Sequence, residues 1–198
     1  MNDQILTARK WLAQKPVFLD TETTGLDDQA EACQIAVVDH DGTVLLDTLV
    51  CPVHPIPAKT TAIHGITNAD VVNAPTFVDI RGQLRDLLSS RLVVIYNAAY
   101  DLRILEQSAR ARGLEPHPSE STAACAMLWY ADYRGQWDGY HQNNRWFKLE
   151  TACALERVPT DGITAHHAAA DCELTRRLAR AIALRKLPYE RAERKVTA

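Results

Sequence analysis

With 198 residues, 46% of them apolar, the chain can bury one substantial α/β core but not a second independent domain. No stretch approaches the roughly 20 apolar residues that span a bilayer, and the N-terminus has no signal-peptide core. Cys33, Cys51, Cys125, Cys153 and Cys172 are scattered without CxxC spacing, which speaks against a disulfide framework or zinc site and for a reducing, cytoplasmic setting with no membrane partner. The net charge of −3 gives no global attraction to nucleic acid. It is unevenly spread, however: residues 174–198 carry Arg176, Arg177, Arg180, Arg185, Lys186, Arg191, Arg194 and Lys195 against Glu190 and Glu193, a net of +6 that leaves −9 elsewhere. A solvated terminal helix is the plainer reading of this stretch, phosphate steering the sharper one.

Residues 1–15 read as a helical segment. Pro16 to Asp20 is a short apolar run that ends in a polar cluster and Gly25, as a buried strand leading into a turn does. Ala32 to Asp39 and Thr43 to Val50 are further strands joined by Asp41-Gly42, a hairpin signal, so the chain opens on three antiparallel strands. Residues 52–74 hold short helices and Thr76 to Leu88 a longer one. Leu92 to Ile95 is an interior strand, followed by a helix from Ala98 to Arg112 that Gly113 closes. After Pro116 and Pro118, helical patterns recur at Ala124–Tyr133, Leu149–Glu156 and Ala168–Arg185. The expected class is α/β, a mixed sheet with antiparallel first strands and flanking helices, ending in a charged tail over 188–198.

Three polar features interrupt these apolar elements. Asp20 and Glu22 lie two apart at a strand end, on one face and roughly 6–7 Å apart along the chain. Such a pair either holds a hard divalent cation or is an acidic loop in water, and the dipeptide alone does not decide. Asn97-Ala-Ala-Tyr-Asp101 follows the interior strand and places a carboxylate in the first turn of a helix. There it either complements the helix dipole or faces the mouth of the sheet, where α/β proteins bind ligands. His166-His-Ala-Ala-Ala-Asp171 opens the last long helix; its alanines leave room for a bulky group, or mark an ordinary alanine-rich start.

Taken together and in this order, the three resemble the motifs of the DnaQ-like, DEDDh-type 3′-5′ exonucleases, which include the proofreading subunit of bacterial DNA polymerase III, RNase T and oligoribonuclease. The resemblance spans about residues 16–184. Asp20-Thr-Glu22-Thr-Thr-Gly25 matches the first motif, Asn97 to Asp101 the second with tyrosine where phenylalanine is common, and His166 to Asp171 the third. Pro57 to Thr67, containing His64, is similar to a further family segment.

This resemblance implies an RNase H-like exonuclease domain over 16–187 in which Asp20, Glu22, Asp101 and Asp171 bind two Mg²⁺ or Mn²⁺ ions and His166 is the general base. His167, four residues before Asp171, shares its helix face, but the family spacing selects His166. By position, Thr23, Thr24, Gly25, Leu26, His64, Asn97 and Tyr100 would bind the terminal nucleotide. A helix-end hydrogen bond for His64 and core packing for Tyr100 are the competing readings. The implied substrate is single-stranded DNA or RNA with a free 3′ end, DNA favoured, with an exoribonuclease on short RNA or RNA ends as the alternative. A catalytically silent nucleic-acid-binding protein fits less well, since all five residues are present. Some relatives are homodimers. A DNA polymerase partner is not indicated, because the chain ends soon after the third motif.

One segment departs from a minimal family domain. Trp129, Tyr130, Tyr133, Trp137, Tyr140, Trp146 and Phe147 crowd residues 129–147 among Gly135, Gly139, Asn143 and Asn144. It reads as a small self-packed insertion, as a base-stacking platform or as a partner surface, and its glycines and asparagines lean toward the first.

Overall fold

The computed structural model describes residues 1–115, 122–163 and 167–187. Five strands form one mixed sheet in the order β3-β2-β1-β4-β5. β1 (Val17–Thr23) runs antiparallel to β2 (Ala32–Asp39), which runs antiparallel to β3 (Val44–Leu49). On the other side β1 is parallel to β4 (Leu92–Ile95), and β4 to β5 (Thr122–Cys125). The β2–β3 turn is the one Asp41-Gly42 signals. Gly42 takes a φ of 100° that a side chain would strain, and the Asp39 N–H donates to the Thr43 carbonyl at 2.7 Å.

All four residues of β4 and seven of the eight in β2 are buried, so these strands read as apolar runs rather than alternations. The reason is that helices cover both faces. On one face Phe18, Ala36, Val38 and Val94 pack against α1 (Asn2–Ala13), α6 (Ala126–Arg134), α7 (Leu149–Glu156) and α8 (Ala168–Ala183). On the other, Val17, Leu19, Ile35, Val37, Val93 and Ile95 pack against α4 (Phe77–Leu88) and α5 (Ala98–Ala111). The short helices expected over 52–74 are α2 (Ala58–His64) and α3 (Asn68–Val71). α4 starts at a capping box in which the Asp79 carboxylate accepts from the Thr76 N–H at 2.8 Å. α5 ends where Gly113 turns left-handed at φ 68°. No helix among the described residues is long and apolar enough to cross a membrane.

The sheet differs from the sequence expectation at one edge. Residues 122–125 form β5, and the helix expected from Ala124 begins at Ala126. Four small residues show no readable period, and their strand state comes from pairing with β4. The aromatic segment also divides. Trp129, Tyr130 and Tyr133 on α6 are buried, and Phe147 packs edge-on to Tyr130 at 5.5 Å. Residues 137–144 instead form a two-stranded hairpin, β6 (Trp137–Asp138) with β7 (Asn143–Asn144), flanked and tipped by exposed aromatic rings.

Helix α1 is built into the core on the α8 face. Ile5 and Ala8 are buried there, Trp11 packs on Trp129 at 5.1 Å, and Arg9 Nε donates to the Ala183 carbonyl at the end of α8. Nor is the basic stretch simply a solvated face. Arg176 and Arg177 both bind Glu173, and Arg185 reaches the buried Glu156, so three of its cations are spent inside the fold. Residues 188–198 lie outside the described residues.

Candidate active site

The site forms where β1 outruns its neighbour. β4 ends at Ile95, opposite Leu19, so Asp20 to Thr23 continue with an open edge on that side. The N-terminus of α5 enters this gap. The turn into it rests on Asn97, whose φ of 90° and ψ of 53° are left-handed, a conformation asparagine tolerates better than most side chains. One turn later the Asp101 carboxylate accepts from the Thr21 backbone N–H at 3.1 Å and from the Thr21 hydroxyl at 2.8 Å. The amide that β4 leaves unpaired thus anchors a carboxylate from another element.

Alternation on β1 sends Phe18, Asp20 and Glu22 toward α8, while Leu19, Thr21 and Thr23 face α5. On the α8 side, Asp20, Glu22 and Asp171 each offer an oxygen, and these lie within 4.8 Å of one another. α8 comes this close because Ala168 is fully buried against the sheet. The alanines of the third motif therefore serve close helix–sheet packing, at least at this position, rather than leaving open space.

The charges at this point repel. The Asp20 carboxyl is pushed well above the ordinary carboxylate range by burial and then by Asp101, Asp171 and Glu22. Glu22 is raised to about 7 by burial and by Asp171 and Asp101. Burial raises Asp101 to about 7 even though both hydrogen bonds from Thr21 oppose it. An all-carboxylate set held this tightly suits a hard divalent cation, whose charge would reverse the repulsion. A second acidic grouping, Asp39, His40 and Asp41, behaves differently. Burial tends to raise Asp39, but bonds from His40 and Arg91 overcome it and hold its carboxyl down at about 2.

The loop after β1 is locked by its own motif residues. The Tyr100 hydroxyl donates to the Gly25 carbonyl at 2.8 Å and lies 2.6 Å from the Thr23 hydroxyl. Thr24 exchanges bonds with Glu31, its N–H donating to the Glu31 carbonyl and its hydroxyl accepting from the Glu31 N–H. Leu26, the next residue of this loop, stands 78% exposed. His64 Nε2 lies 3.2 Å from the Thr23 carbonyl, and its Nδ1 accepts from the Ile66 N–H, so it ties α2 to the end of β1. For His64 and Tyr100, then, the positions expected to touch a nucleotide also perform structural work.

Two histidine expectations meet the structure differently. His166 lies outside the described residues. His167 caps α8, and its Nε2 accepts from the Gln34 side-chain amide at 3.0 Å and stands 3.9 Å from Asp47. Its ring is therefore directed at β2 and β3, not along the helix face toward Asp171. Sequence reasoning passed over Thr21, although its place between the two acidic residues is the signal that it faces away from them. It also passed over Gln34, whose carbonyl accepts from the Ala168 N–H at 3.3 Å and so fixes the start of α8.

Comparison with known proteins identifies the family. Residues 17–179 match the exonuclease family designated RNase_T. The chain is 46% identical over 172 residues to a protein named uncharacterized exonuclease CP81 from Escherichia phage 186, an alignment covering 85% of this chain and 88% of that one. Among solved structures, exonuclease X in complex with 5′-overhanging duplex DNA superposes with a TM-score of 0.63 at 28% identity, over 84% of this chain and 89% of that one. Escherichia coli exonuclease I bound to a dA16 oligonucleotide shares the fold with a TM-score of 0.69 at 15% identity, over 92% of this chain and 43% of that one. The mixed sheet is thus the RNase H-like fold of these nucleases, and the chain belongs to the DnaQ-like exonuclease family as a nucleic-acid hydrolase.

Proposed function

We propose that the protein is a 3′-to-5′ exonuclease acting on single-stranded nucleic acid, DNA in preference to RNA, and releasing nucleoside 5′-monophosphates. The observation that carries this reading is the convergence of Asp20, Glu22 and Asp171 within 4.8 Å, with Asp101 held beside them by Thr21. Those four carboxylates would hold two Mg²⁺ or Mn²⁺ ions. When bound, such ions supply the positive charge that stabilises both the attacking and the leaving oxygen of an in-line displacement. The rest falls to the chain itself. Thr21 keeps Asp101 oriented, and the Tyr100–Gly25–Thr23 bonds keep the loop with Leu26 rigid beside the cluster, where Thr23, Thr24, Gly25, Leu26, His64, Asn97 and Tyr100 would surround the terminal nucleotide. His166 would take the proton of the attacking water, a task suited to an unperturbed pKa near 6.5.

DNA is favoured because the neighbours aligned above were solved with DNA. The motifs address phosphate rather than the sugar 2′-position, so an exoribonuclease is the second reading. Matched labelled DNA and RNA strands, incubated with Mg²⁺ or EDTA, test both. Metal-dependent loss of 3′-terminal nucleotides from DNA faster than from RNA is expected, slowed by a 3′-phosphate and indifferent to a 5′-block. Efficient cutting of a circular single strand would refute the polarity.

A further inference from the structure

We infer that the β6–β7 hairpin is a stacking surface for the single strand upstream of its 3′ end, with Trp137, Tyr140 and Trp146 as the base-contacting side chains. The inference rests on the exonuclease reading and extends it to a segment that none of the family motifs includes.

Three observations carry it. The first is that the rings are held in water. Trp137 is 64%, Tyr140 89% and Trp146 55% exposed, whereas Trp129, Tyr130 and Tyr133 of the adjoining helix are buried. The segment's own small core is complete without these three rings. Phe147 closes it, edge-on to Tyr130 and with Arg134 and Arg145 about 6 Å from its ring centre. Two tryptophans and a tyrosine, the last edge-on to His141 at 4.9 Å, are thus kept in solvent by a structured hairpin as a large exposed apolar area.

The second observation is where the hairpin is rooted. The Tyr96 hydroxyl donates to the Phe147 carbonyl at 2.8 Å. Tyr96 is the residue between the end of β4 and Asn97, at the sheet edge where α5 brings in Asp101. Trp146 is therefore the neighbour of the residue that Tyr96 anchors, and Tyr96 itself leads into Asn97 and the helix that carries Asp101. The hairpin itself is stiffened by the Trp137–Asn144 pairing, by the Arg145 N–H donating to the Gln136 carbonyl and by Asn144 donating to Asp132.

The third is charge. Arg145 and Lys148, both exposed, flank Trp146 and Phe147, while the Asp138 carboxylate is turned onto the hairpin's own Tyr140 and His141 N–H groups. Exposed aromatic faces with interspersed cations suit a single strand, since every base has a stacking face and every linkage a negative charge. An apolar protein partner would not call for exposed cations flanking the ring of Trp146.

The test uses the full chain and two variants, Trp137→Ala/Trp146→Ala and Tyr140→Ala. Hydrolysis with Mg²⁺ is compared on a dinucleotide and on an oligonucleotide of about twelve residues, long enough to reach a separate stacking site. We expect the double variant to raise KM for the long strand at least about tenfold, as loss of base stacking does, with dinucleotide kcat/KM unchanged and a smaller effect for Tyr140→Ala. Binding is read independently in an Asp20→Asn background. The long strand should quench tryptophan fluorescence there, and the quenching should vanish when Trp137 and Trp146 are removed. Unchanged KM and unchanged quenching would overturn the inference and leave the surface to a protein partner. An equal fall on the dinucleotide would overturn it as well, since the hairpin would then act through the fold. If the parent chain hydrolysed neither substrate the exonuclease reading would fail, while the fluorescence titration would still decide the hairpin.

Discussion

Glu156 and Asp101 are both buried carboxylates in one fold, and they are treated in opposite ways. Glu156 accepts from the Tyr130 hydroxyl at 2.9 Å, from Arg134 at 3.2 Å and from Arg185 at 2.5 Å. Its charge is balanced from within, and it ties α6, α7 and the end of α8 together. Asp101 is held by hydrogen bonds from Thr21 and meets no cation among the described residues, and its carboxyl rises to about 7 through burial. The charges acting on Asp20 and Glu22 are those of other carboxylates. Burial and repulsion of this kind cost the folded state, which is expected where a ligand, not the protein, completes the electrostatics. Glu156 is architecture, and the acidic cluster is the candidate site.

The sharpest way to break this contrast is to neutralise one member of each set. Asp20→Asn should lower nuclease turnover by at least about 10²- to 10³-fold while the metal-free protein becomes no less stable, because a repelling charge is removed without loss of volume. Denaturant melts and turnover on one preparation check both halves, and near-normal turnover would dismantle the site assignment. The third motif offers the next largest effect. His166→Ala should cost about 10²- to 10⁴-fold in rate, as loss of a positioned general base does, and His167→Ala about tenfold or less, since His167 is turned toward Gln34 and Asp47. Greater damage from His167→Ala, at equal folding and metal affinity, would mean that the motif has been read one residue out of register.

Glu156→Gln should do the reverse of Asp20→Asn. Turnover per folded molecule should hold, while stability falls by about 1–3 kcal/mol as charged hydrogen bonds are lost, visible as a lowered melting temperature. The smallest effect is the pH dependence of the metal-free protein. Glu22 rises from 4.5 to about 7 on folding and Asp101 from 3.8 to about 7, so between about pH 4 and 7 the folded state binds more protons than the unfolded one. Their contribution to stability is therefore fully present at the acid end and lost as pH rises through about 7. Denaturant midpoints should decline from pH 5 to 8 without metal, and saturating Mg²⁺ should flatten or invert that slope. A metal-free protein whose midpoint rose over the same range would contradict the arrangement.

How much of this was readable beforehand depended on the range of the interactions. The β2–β3 hairpin, α7 and the start of α5 follow from neighbouring residues, through Asp41-Gly42, through local period, and through an asparagine where a left-handed turn is required. β5 was not legible, because four small residues become a strand only by pairing with β4. Arg176 looked like part of a solvated basic face, yet it is buried and paired with Glu173, which depends on how α8 lies against the β2–β3 turn.

The candidate site divides along the same line. The sequence by itself named the candidate side chains, since Asp20 and Glu22 share a face through the two-residue period of a strand, and the family motif spacings point to Asp101, His166 and Asp171. What only the tertiary structure decided is why the four carboxylates meet. β4 stops at Ile95 and leaves the Thr21 amide open to Asp101, Ala168 lets α8 bring Asp171 up to β1, and Tyr96 fastens the end of the aromatic segment to the turn after β4. Each of these is a contact between segments far apart in the chain. Nothing in the local order of residues fixes such a contact, and it exists only once the two faces of the sheet have been packed.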